Sequence, residues 1–179
     1  FMGGYEKPAR AFKHLQLYLG TEKFDQIMKS FFAEWKFKHP KPTDFQNHFE
    51  QRVDENLDWF FNDLISSNRQ IDYKVAGYNK NNGELTIKNK GDINAPSPVK
   101  IKSEENTDER WLEGFDHKKT LETLSDAQEI SLDPRHITLD MYRKNNSWKA
   151  DRTLKKFEPI QLKFLSRLEN PDRSMLFVN

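Results

Sequence analysis

The chain has 179 residues, enough for one domain or two small ones with a real core. Lysine and arginine number 29 against 28 aspartates and glutamates, a net charge of +1, so a nucleic-acid partner is not expected. The absence of cysteine excludes disulfides, thiolate metal sites and a cysteine nucleophile, and it leaves the bacterial cytoplasm and periplasm equally open.

The opening FMGGYEK runs almost at once into helical periodicity, which reads as a start within a longer protein. Pro8 suits a first helical turn, where its missing N–H costs little. Ala11, Leu15, Tyr18 and Leu19 follow at spacings of three and four, and Gly20 ends the run. Thr21 is expected to cap a second helix whose stripe is Phe24, Ile27, Met28, Phe31 and Trp35. HPKPT breaks it, because neither Pro40 nor Pro42 fits a helix interior. Thr43 is expected to cap a third helix with Phe45 and Phe49 inward, and ENLDWFFNDLISS forms a fourth around Leu57, Phe60, Phe61 and Leu64. These aromatic stripes read as core.

From Ile71 the period changes to two. IDYKVAGY and ELTIKNK alternate on either side of the turn NNG, and PVKIK, KTLETL and EISLD are further short runs between turn-forming residues. The fold class is therefore α+β, an all-helical N-terminal part followed by a small antiparallel β-sandwich. The expected division is helices over 1–69, a sandwich over 70–148 and a further segment over 149–179, where LKKF and IQLKFLSRL are separated by Pro159. No apolar run approaches the ~20 residues of a membrane span, and no signal-peptide pattern is present.

The residues alone supply no complete active site. The histidines at 14, 39, 48, 117 and 136 show no spacing of three or four, so no helical two-histidine metal face exists, and each reads as a surface residue. There is no phosphate-binding glycine loop and no Gly-x-Ser-x-Gly elbow. DPRHITLD flanks a histidine with acids at a spacing that matches no metal loop. The acids from Asp44 to Asp63 and the bases Arg143, Lys144, Lys149, Arg152, Lys155 and Lys156 read as solvated faces.

Taken in order, Tyr5 to Pro8, LGTEKF, FFAEWKFKHP and TDFQNHFE resemble the segment that follows the zinc motif in M1 family zinc aminopeptidases. LDWFF resembles the last helix of that catalytic domain, and LDPRHITLDMYRKNN the end of the sandwich that follows it. Pro8 departs from the glycine usual in the family.

The resemblance implies that Tyr5 is catalytic, its phenol donating to the oxyanion formed when the scissile carbonyl is attacked. Tyrosine suits this because a pKa of about 10 keeps its proton on at neutral pH. The resemblance also implies zinc in the intact enzyme, a peptide substrate, and an N-terminal catalytic half carrying His-Glu-x-x-His, a further glutamate and Gly-x-Met-Glu-Asn, none of which occurs here. The chain alone is then expected to be inactive, to bind no zinc, and to self-associate through aromatics meant for the missing half. A non-catalytic helical and β-sandwich protein-binding module is the alternative, and a scaffold whose parent has lost the zinc motif is a third reading.

Overall fold

The computed structural model describes residues 6–150. Three α-helices come first: α1 (Glu6–Leu19), α2 (Thr21–Trp35) and α3 (Pro42–Glu50). The fourth helix, α4 (Trp59–Ile65), is π-helical. Trp59, Phe60 and Phe61 are consecutive and all buried, so this wide turn is enclosed on most of its circumference. Gly20 has φ +86°, a conformation that favours glycine, and it separates α1 from α2 without a side-chain cap.

Two expected caps are displaced. Thr21 is the first residue within α2, and Gly20 holds the cap position. Thr43 lies inside α3, because Pro42 already occupies the first turn with its preset φ; the start is fixed by the Asp44 carboxylate, which accepts from the Lys41 backbone N–H at 2.7 Å.

Seven strands follow: β1 (Tyr73–Asn79), β2 (Glu84–Asn89), β3 (Ser97–Lys102), β4 (Thr107–Leu112), β5 (Lys118–Glu122), β6 (Glu129–Leu132) and β7 (Ser147–Lys149). They form two antiparallel sheets, ordered β1-β2-β5 and β4-β3-β6-β7. Alternation decides which residues turn inward: Leu85 and Ile87 from one sheet, and Val99, Ile101, Ile130 and Leu132 from the other, are buried in the same core. Tyr78 of β1 meets the Trp148 ring of β7 at 4.7 Å, and its hydroxyl donates to the Leu124 carbonyl.

The helices and sheets share one continuous apolar cluster. Among the helices it is aromatic: Phe12 packs edge-on to Phe60 at 5.3 Å, and Phe45 lies 4.9 Å from both Phe31 and Phe49. Tyr18 of α1 reaches the Trp111 ring of β4 at 5.4 Å. Phe32 and Phe37, by contrast, are 70% and 101% exposed.

Tyr73 ties the strands to the segment before β3. Its buried hydroxyl donates to the Ala95 carbonyl at 2.7 Å. Tyr73→Phe keeps the ring and strands that acceptor, so urea unfolding should show a loss of about 1–2 kcal/mol. A midpoint identical to that of the original chain would refute the assignment.

Candidate functional site

Tyr5 lies outside the described residues, and so do LKKF and IQLKFLSRL of the C-terminal segment. Tyr5 precedes Glu6, the first residue of α1, directly in the chain, and Pro8 sits in the first turn of that helix as its ring geometry favours. Among the described residues no group of three or more histidine, aspartate or glutamate side chains is placed to hold a metal ion. These residues therefore do not fit a zinc site.

A cleft of about 700 Å³ opens beside the start of α1. Its apolar lining comes from Leu64 of α4, Ile71, Leu139, Met141 and Tyr142. Lys7, Arg10, Arg69, Arg143 and Lys144 supply positive charge, and Asp140 is the acid among the lining residues. Asp140 is engaged structurally: one carboxylate oxygen accepts from the Tyr73 N–H at 2.9 Å and the other from the Tyr142 N–H at 2.8 Å.

Arg10 and Arg143 both donate to the Thr138 carbonyl, at 3.2 and 3.3 Å. That carbonyl is held in place by Asp133, which is buried and accepts from the Ile137 and Thr138 N–H groups and the Thr138 hydroxyl. Burial pushes the Asp133 carboxyl above its ordinary pKa, against the pull of those hydrogen bonds and of Arg143. The DPRHITLD segment is thus a rigid turn that braces two arginines. Arg143 and Lys144, read from sequence as part of a solvated face, line this cleft.

Two histidines depart from the surface reading. His14 is fully buried between Trp59 (4.7 Å) and Trp111 (5.8 Å, stacked), with its Nε2 2.8 Å from the Pro96 carbonyl. Burial lowers its pKa from 6.5 to about 4, with the bond to Pro96 acting in the opposite sense. His48 is 4% exposed. Its Nε2 is 2.8 Å from the Ser30 Oγ and its Nδ1 3.2 Å from a Glu34 carboxylate oxygen.

Serine, histidine and acid in that order have the spacing of a hydrolytic triad. The surroundings do not support that chemistry. Ser30 sits within α2 with its Oγ also 2.8 Å from the Ile27 carbonyl, and Phe31 packs edge-on against the imidazole at 5.3 Å. The array works as a polar link between α2 and α3. Both buried histidines adjoin an apolar stripe, His14 three residues after Ala11 and His48 three after Phe45, and that spacing is the signal that could have revealed their burial.

Residues 2–64 match the sequence model of the Peptidase family M1 domain. No curated protein matches the chain. The match spans the four helices up to Leu64, so it is this helical part that is similar to the M1 peptidases.

Proposed function

We propose that the chain is the C-terminal portion of an M1-like zinc aminopeptidase that removes N-terminal residues from peptides, and that it is inactive without an upstream zinc-binding half. The observation that carries this reading is the family match over residues 2–64, which begins just before Tyr5 and ends within α4. On this reading residues 1–69 complete a catalytic domain, 70–148 form a supporting β domain, and 149–179 begin a further region.

Tyr5 is the catalytic residue that this chain contributes. Its phenolic O–H donates a hydrogen bond to the carbonyl oxygen of the scissile bond as attack turns that oxygen into an oxyanion. Zinc, held by residues elsewhere in the intact enzyme, would supply Lewis-acid activation. The helices have a positioning role: Tyr5 directly precedes α1 in the chain, and the buried face of Ala11, His14, Leu15 and Leu19 fixes that helix against the core.

The test is expression of the entire encoded product from its native source, with zinc measured alongside hydrolysis of aminoacyl p-nitroanilides. Stoichiometric zinc and cleavage that is abolished by N-acetylation of the substrate are the expected result. A zinc-free product without hydrolysis would overturn the aminopeptidase reading and leave the protein-binding module in its place.

A further inference from the structure

We propose that the basic cleft beside α1 binds the C-terminal carboxylate of a short peptide and takes the peptide's last, apolar side chain on its floor. The inference rests on the peptidase reading above and extends it to the far end of the substrate.

The argument begins with charge. Arg10 and Arg143 share one acceptor, the Thr138 carbonyl, so their nitrogens lie no farther apart than those two hydrogen bonds laid end to end. A guanidinium presents its positive charge in a rigid, planar fork of N–H donors. Lys7 and Lys144 add to the same cleft. Among the described residues no carboxylate forms an ion pair with any of these four: Asp133 acts on Arg143 only from beyond contact distance, and Asp140 accepts from backbone N–H groups with both oxygens. Like charges gathered in this way are relieved by an anion, and a planar guanidinium offers paired N–H groups that match a carboxylate.

The remaining lining narrows the ligand. Leu64, Ile71 and Leu139 give an apolar floor, so the fitting molecule carries an apolar group next to its anion. A volume of about 700 Å³ falls in the range of sites that enclose small organic ligands. A peptide ending in leucine or phenylalanine has both features. The cleft is also next to Tyr5 in the chain: Lys7 is two residues on, a span of at most about 7 Å between Cα atoms.

The experiment uses the full 179-residue chain and fluorescein-labelled Ala-Ala-Ala-Leu, as free acid and as C-terminal amide, read by fluorescence anisotropy. The acid should bind, and the amide should bind at least about tenfold more weakly, the loss expected for a missing charge-assisted contact. Arg10→Gln with Arg143→Gln should remove the preference for the acid. Since both arginines also brace a backbone carbonyl, Lys144→Glu, at an exposed position, provides a second variant that should weaken acid binding while leaving the thermal melt unchanged. Equal binding of acid and amide, or no binding of either, would overturn the proposal. Displacement of the peptide by dodecanoate at far lower concentration than by unlabelled peptide would also overturn it, in favour of a fatty-acid site. Because no hydrolysis is measured, a failure here together with an active, zinc-loaded full product removes the cleft alone, and the converse result removes the peptidase reading.

Discussion

Tyr5→Phe in the full encoded enzyme should lower kcat for an aminoacyl chromogenic substrate by about 10²–10³-fold, the usual consequence of losing one oxyanion donor. The substitution removes one oxygen and keeps the ring, so packing at the start of α1 and zinc content should be unchanged. The loss belongs in kcat because a carbonyl oxygen in the bound substrate carries little charge, whereas the tetrahedral oxygen carries nearly a full one. A donor that acts mostly on the second stabilises the transition state selectively. KM should therefore move little. If Tyr5 is only an aromatic anchor, phenylalanine serves equally well, and full turnover with full zinc occupancy would return it to that role. A parallel fall in zinc content would instead assign the residue to folding.

The helical half was readable because its signals are local. The stripes of α1, α2 and α3 recur every three or four residues, and Gly20 and Pro42 punctuate them with backbone constraints that need no tertiary context. The π geometry of α4 was not readable. A run of Trp59, Phe60 and Phe61 announces burial, but it is compatible with either helical pitch, and the choice is made by packing around it. Strands β1 and β2 declared themselves by alternation. Strand β4, TDERWL, did not, because it lies at a sheet edge and Leu112 is its one buried residue. Strand β7 has three residues, too few for a period. The cleft was beyond sequence reasoning altogether: Arg10 and Arg143 lie at opposite ends of the described chain, and only the docking of α1 against the turn at Asp133 brings them to one carbonyl.

The same docking creates a pH dependence of stability, and its source is His14. The imidazole is enclosed by Trp59 and Trp111, and Nε2–H donates to the Pro96 carbonyl, which fixes the neutral tautomer with its proton on that nitrogen. The other nitrogen, Nδ1, is buried without a partner, so a second proton there would place a charge among aromatic rings with nothing to solvate it. Its pKa accordingly falls from 6.5 in the unfolded chain to about 4 in the folded one. The unfolded state thus binds a proton first. The stabilisation is complete above pH 6.5 and declines as the pH falls toward 4, where it levels off because both states are then protonated. At about 1.4 kcal/mol per pH unit across that window, the full loss is about 3 kcal/mol, a large share of the stability of a domain this size. Urea unfolding at pH 7.5, 6, 5 and 4 measures it, with His14→Gln as the reference. Glutamine retains an N–H for Pro96 and has nothing to titrate. The variant will be less stable at pH 7.5 through imperfect packing, and the gap between the two proteins should close as the pH falls. Parallel pH profiles for the two proteins would show that His14 is not the group that senses acid.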